Sequence, residues 1–310
     1  MSELAIASLE TDLDGALELG GRALAWTEVH GRPLLASASF TADALVLGCW
    51  QREATLRTRS SARFDRRVVR RRSSGTEAQL EGAVLYHALT LPRVDALFSD
   101  ASARTLMNRN LRAILRGYTA AGVPFRYFGT EVLALFGHPV ALVGYDQLAS
   151  GAVLIELMIG LENPCVVRPA LKREPPAALY PLLRRAPAAH QFLGKVVAGI
   201  VDRSGATPVD VAAELPATAG DVAAPPDGAV AASIPIPLGV VEAVVAPTPR
   251  ITGDLLVGSA ALARFEAGAA QARERGEALD SALLAAFVGA PLDGARPEDL
   301  LQAVRAAADA

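Results

Sequence analysis

Val68-Val69-Arg70-Arg71-Arg72-Ser73-Ser74-Gly75, followed after six intervening residues by Gly82-Ala83-Val84-Leu85-Tyr86-His87, carries more of the fold than any other part of the chain. A short apolar pair runs into a block of arginines, small residues and glycine interrupt it, and a second apolar run ends on Tyr86 and His87. A glycine-bearing loop lets backbone amides approach an anion, because glycine has no Cβ and tolerates positive φ. Planar guanidinium groups beside it suit a carboxylate or phosphate held through paired hydrogen bonds. Between the two halves lie Glu77 and Glu81, which bring negative charge into the same region.

Outward from this stretch, apolar residues recur at helical spacing from about residue 4 to 24, with acids in the early turns, and predict an N-terminal helix. Two strands are expected at residues 33–38 and 44–48, the second running into Gly48-Cys49-Trp50-Gln51. Downstream, Leu106, Leu111, Ile114 and Leu115 share one face of a helix over 104–121. Strands at 131–136 and 140–144 flank Gly137-His138-Pro139, a short connection that suits a hairpin, and residues 151–161 form a third apolar run. From Asp202 to Ser233 large apolar residues thin out among Pro208, Pro216, Pro225 and Pro226. Beyond it come a strand at 239–245 and helices at 257–275, 278–289 and 297–309. The expected class is α/β (α+β): a mixed sheet with flanking helices over residues 1–202, a Pro/Ala/Gly-rich linker over 203–233, and a small α+β domain over 234–310.

Composition narrows the functional classes. In 310 residues, 51% hydrophobic content supports a sizeable core and 20% charge is too little for a disordered chain. The net charge of −3 and the scarcity of aromatics oppose a nucleic-acid binder. No apolar run reaches the roughly 18 residues of a membrane span, and the acidic N-terminus lacks the basic region of a signal peptide, so a cytoplasmic location is expected. Two cysteines make no disulfide framework, and no metal-ligand spacing is present. Only Lys172 and Lys195 are lysines among 30 basic residues.

Taken in order, the segments Leu47-Gly48-Cys49-Trp50-Gln51, Val68 to Gly75, Gly82 to His87, Gly122-Val123-Pro124, Gly137-His138-Pro139-Val140-Ala141 and Gly151-Ala152-Val153-Leu154 form a series that resembles the biotin/lipoate protein ligase family in its lipoate-ligase branch, and the stretch from Gly239-Val240-Val241-Glu242-Ala243 through Gly253-Asp254 resembles that branch's accessory C-terminal domain. The resemblance implies activation of lipoate or octanoate by ATP with Mg²⁺ and transfer to a lysine of an acyl-carrier (lipoyl) domain. It assigns Arg71, Arg72, Ser74, Gly75 and Gly82 to the nucleotide and Gln51, Tyr86 and His87 to the acyl substrate. The chain departs from the family pattern where the chemistry would sit. Residues 76–81 break the triple glycine, the family lysine falls on Pro139, the family histidine falls on Glu156, and Glu131-Val132 replace an Asn-Asp pair. Forming an acyl-adenylate brings negative charges together, so the site must supply cations and N–H donors. Loss of the lysine is expected to abolish that step. Two functions follow: the family's acyl ligation by a re-routed mechanism, or a non-catalytic pseudo-ligase that binds an acyl ligand or a carrier protein.

Individual residues have plainer readings beside the chemical ones. Cys165, after Glu162-Asn163-Pro164, is a candidate thioester nucleophile, as in octanoyl transferases of the same superfamily, or else a buried thiol. His87 is a candidate general base or a packing histidine. Cys49 is expected in the core, and His30, His138 and His190 at turns or on the surface. Glu77, Glu81 and Glu156 either form a new carboxylate site or are solvated.

Overall fold

The structure, a computed structural model, describes residues 3–167, 174–219, 225, 229–244, 250–288, 290, 292–293 and 295–308. Its elements in chain order are β1 (Glu3–Glu10), α1 (Leu13–His30), β2 (Leu34–Leu47), α2 (Glu53–Arg59), β3 (Arg67–Arg70), β4 (Ala78–Leu91), α3 (Leu106–Ala120), β5 (Arg126–Tyr127), β6 (Val132–Leu135), β7 (His138–Gln147), β8 (Val153–Gly160), α4 (Leu179–Leu183), α5 (Ala189–Ser204) and β9 (Thr207–Asp210). The C-terminal part follows with β10 (Ala232–Ile236), β11 (Gly239–Val244), β12 (Arg250–Gly253), β13 (Leu256–Val257), α6 (Ser259–Arg275), α7 (Leu279–Phe287), β14 (Leu292–Asp293) and α8 (Pro297–Ala308).

Among the described residues the main sheet runs β5-β6-β7-β8-β4-β2-β1-β9, with β3 paired to the end of β2. The N-terminal run expected as one helix is a strand followed by a helix. Residues 3–10 pair in parallel with β2 on one side and β9 on the other, burying Leu4, Ala5 and Ala7. Asp12 ends the strand and starts the helix, since its side chain accepts from the Gly15 amide at 3.0 Å. Over so short an apolar run the two periodicities coincide, and pairing decides. The strands expected at 33–38 and 44–48 are one continuous strand, β2, antiparallel to β4. The range read as a linker opens with ordered chain, because β9 is an edge of the main sheet.

Side-chain alternation on the strands sorts the residues onto two faces. Tyr86, Ala88, Leu154 and Met158 pack with α1. Leu85, Leu89, Ile155 and Leu157 pack with α3 and α5. Those two helices meet backbone to backbone. A Cβ on Gly199 would lie 2.6 Å from the Gly117 amide nitrogen, so only glycine permits the crossing. No helix among the described residues is long and apolar enough to cross a membrane.

The C-terminal part pairs β10, β11 and β12 antiparallel and packs α8 against them. It joins the main sheet through residues 253–259. Gly253 N donates to Trp50 O at 2.8 Å and Gly75 N to Leu255 O at 2.7 Å. Val257 N donates to Ser74 Oγ at 2.9 Å and Ser259 N to Asp146 Oδ1 at 2.7 Å.

Candidate functional site

The loop from Arg71 to Glu77 leaves β3 and enters β4 between the end of β2 and strand β7. Arg71 N donates to Leu47 O at 2.9 Å, Cys49 N to Ser73 O at 3.0 Å, and Ser74 N to Tyr145 O at 2.8 Å. The fit against β7 needs Gly144, where a Cβ would strike the Ser73 side chain. Gly75 takes φ +114°, a region open to glycine, and a Cβ there would lie 2.7 Å from an Arg71 guanidinium nitrogen. The six residues expected as an insertion before Gly82 are largely strand, since β4 begins at Ala78 and pairs with Val46.

Arg71 is fully buried and turned inward. Its Nη2 donates to the carbonyls of Ser74 (3.2 Å) and Thr76 (3.0 Å), tying the loop to itself. Burial lowers its pKa from the ordinary guanidinium value, and the nearby Glu156 carboxylate opposes that shift. Glu156, also buried, accepts from Ser73 N at 3.2 Å and from the Tyr86 hydroxyl. Burial first and the Glu156 carboxylate second push the Tyr86 phenol well up, so it stays a donor. Arg70 donates to the carbonyls of Gly48 and Gln51, both at 2.7 Å, and braces the end of β2. Arg72 is half-buried beside α1, its Nε 3.0 Å from where a Cβ on Gly21 would stand.

A second buried cluster lies at the loop's far end. Gln51 accepts from Gly48 N at 2.9 Å and donates to Glu77 Oε2 at 2.8 Å and Asp254 Oδ1 at 2.6 Å. Asp254 Oδ2 takes Arg59 Nη1 at 2.6 Å and Val240 N at 2.9 Å. Ser60 donates its hydroxyl to Glu77 Oε1 at 2.6 Å. Ser74 donates its hydroxyl to Tyr145 O at 2.6 Å while accepting from Val257 N. Segment 253–257 of the C-terminal part therefore rests directly on the loop. Arg59, Ser60, Asp146 and Asp254 are members of this constellation that sequence reasoning did not single out. Only Gly253-Asp254 left a trace, as part of the accessory-domain resemblance.

The remaining candidates are dispersed. Glu77 is buried, whereas Glu81 is exposed and paired with Arg66 at 2.9 Å. Gly82 sits further along β4 with φ +78°, beside Glu162 and Asn163 and away from Arg71. Pro139 is buried near the start of β7, opposite Ala134, and its carbonyl accepts from Ala177 N at 2.9 Å. Glu131 is buried just before β6. His87 faces α3, not the loop. Its ring nitrogens bond Ser37 Oγ and Tyr118 Oη, each at 2.6 Å, and burial lowers its pKa to about 4. The Cys165 thiol is buried, donates to Val140 O at 3.3 Å, and is pushed up to about 11 by desolvation. Cys49 is likewise buried and raised. A thiol so protonated is a poor nucleophile at neutral pH. Lys195 is exposed on α5, behind the sheet from Glu156, and Lys172 lies outside the described residues. His30 closes α1, stacked on Trp26; His138 and His190 lie on β7 and α5.

These residues do not fit ATP and Mg²⁺. The amides of Ser73, Ser74 and Gly75, which a phosphate would need, already donate to Glu156, Tyr145 and Leu255. Among the described residues the hydroxyls of Ser73 and Thr76 have no hydrogen-bond partner, yet both are sealed at 2% exposure or less. Pro139 offers no cation, and Glu77 and Glu156 would repel phosphate. Among the described residues no group of three or more His, Cys, Asp or Glu side chains is placed to hold a metal ion.

No protein-family model matches the sequence, and no curated protein matches it either. Solved structures do match. P. falciparum LipL1 in complex with lipoate superimposes with a TM-score of 0.59 at 9% identity, covering 86% of this chain and 89% of that one. A lipoate-protein ligase A bound with ATP superimposes with a TM-score of 0.50 at 13% identity, covering 68% of this chain and 89% of that one. This likeness gives the chain a lipoate ligase-like fold.

Proposed function

We propose that the chain is a catalytically silent protein of the lipoate-ligase fold, which forms no acyl-adenylate and serves as a binding scaffold for an acyl-carrier (lipoyl-type) domain in the cytoplasm. One observation carries this reading: the loop that would hold the adenylate is bonded to the protein's own C-terminal segment through Gly75–Leu255 and Ser74–Val257. The acyl side is equally crowded, since a Cβ on Gly20 of α1 would lie 2.6 Å from Tyr86 Oη. That crowding favours a protein partner over a buried acyl ligand. A fold alone does not bring an activity with it, and Pro139 at the family lysine position itself supplies no charge to stabilise the carboxylate and phosphate.

The test incubates the full chain with lipoate or octanoate, ATP, Mg²⁺ and an apo-lipoyl domain, and follows carrier mass, pyrophosphate release and carrier binding. The expected result is binding of the lipoyl domain with no mass gain and no pyrophosphate. A mass gain restores the ligase reading; absence of carrier binding removes the scaffold reading.

A further inference from the structure

The chain as a whole is acidic, with 33 acids against 30 bases. Its charge is not spread evenly. The two helical segments that cover one face of the sheet, residues 100–122 and 179–204, contain eight bases and only two acids, Asp100 and Asp202. The tight Gly117–Gly199 crossing brings α3 and α5 together along this layer. On its outer side a groove of about 390 Å³ is lined by Arg112, Leu115, Arg116, Thr119 and Arg203. Both acids are already engaged, Asp100 with Arg109 at 2.5 Å and Asp202 with Arg116 at 2.8 Å. Arg112 and Arg203 have no ion-pair partner among the described residues and are exposed.

We propose that this α3–α5 groove is a docking surface for a protein partner that presents an acidic segment. One arginine of the lining, Arg116, already pairs with a carboxylate, that of Asp202 at 2.8 Å, and the two unpaired arginines beside it offer the same chemistry to a partner's acids. Leu115 and Thr119 between the arginines provide a short apolar floor, the composition of a protein contact with a charged rim. Among the described residues the groove is lined by no aromatic side chain on which a base could stack, which separates it from a nucleic-acid surface. It lies across the sheet from the Arg71 loop, so the inference stands apart from the proposed scaffold function.

The test measures binding of a fluorescein-labelled poly-glutamate peptide to the full chain by anisotropy in low-salt buffer. Binding that weakens with added salt, and weakens about tenfold or more in Arg112→Glu/Arg203→Glu, is the expected result. The charge-matched variant Arg57→Glu/Arg67→Glu, altered on α2 and β3, keeps wild-type affinity. No binding by the wild-type chain, or equal loss in both double variants, overturns the proposal. Duplex DNA that binds more tightly than the peptide and loses affinity in the same variant reassigns the surface to nucleic acid and overturns it as well.

Discussion

Gln51 donates its side-chain amide to Asp254 at 2.6 Å, joining two residues 203 positions apart. The same nitrogen donates to Glu77 at 2.8 Å, so one neutral amide separates two buried carboxylates. Arg59 then supplies positive charge to Asp254. The cluster fastens the C-terminal part to the loop, and its polar atoms are buried where an unmade hydrogen bond is costly.

Asp254→Ala is therefore expected to destabilise the chain by about 2–4 kcal/mol, because Arg59 and the Gln51 amide lose their common acceptor in a buried site. Urea unfolding reads the change. A midpoint equal to wild type would mean that segment 253–257 is held by other contacts.

The Cys165 thiol tests the burial argument directly. With Cys165 raised to about 11 by desolvation, iodoacetamide at pH 8 should leave it unmodified in the folded protein and alkylate it rapidly in denaturant. The sign of the linked stability follows. Below the unfolded value of 9.0 both states hold the proton; between 9.0 and about 11 only the folded thiol does, so stability falls with rising pH. Cys165→Ala should lessen that fall. Fast native alkylation, counted by mass spectrometry, would return Cys165 to the list of nucleophiles.

Much of the architecture could be read from the chain because its strands and helices carry clear periodicity. The α3 stripe, the Gly137 hairpin and the C-terminal helices fall where apolar spacing puts them. Residues 3–10 did not, because a short apolar run fits both periods and only pairing with Leu34 to Ser39 selects the strand. The site was legible in part. Arg71, Ser74 and Gly75 share one loop and Gln51 bonds Glu77 at its far end, but the direction in which Arg71 points depends on carbonyls within that loop. Asp254 could not be placed against Gln51 from sequence, since nothing local specifies a contact over that separation. His87 was separated from Tyr86 by one step of strand alternation, which puts adjacent residues on opposite faces.

His87 offers a pH prediction. Its pKa drops from 6.5 to about 4 on burial between Ser37 and Tyr118. As pH falls below 6.5 the unfolded chain takes up a proton that the folded one refuses, so stability declines until pH reaches about 4. The full contribution is about 3 kcal/mol. His87→Gln keeps a polar side chain and removes the titration. The gap in unfolding free energy between pH 7 and pH 4.5 should shrink by much of that amount in the variant. An unchanged gap would show that acid sensitivity arises from carboxylates elsewhere.

Pro139→Lys restores a cation at the position where the family resemblance expects one. If the missing charge were the whole obstacle, the variant would release pyrophosphate with lipoate, ATP and Mg²⁺. The loop geometry argues otherwise. Gly75 N remains bonded to Leu255 O, Ser73 N to Glu156, and the buried Glu77 and Glu156 still oppose phosphate. The expected outcome is no pyrophosphate release from a variant whose circular dichroism matches wild type. Adding Asp254→Asn to the same chain weakens the fastening at Gln51 and Arg59. Activity in the double variant but not in either single one would identify the C-terminal segment as the second obstacle. Activity in Pro139→Lys alone would refute the closed-loop argument.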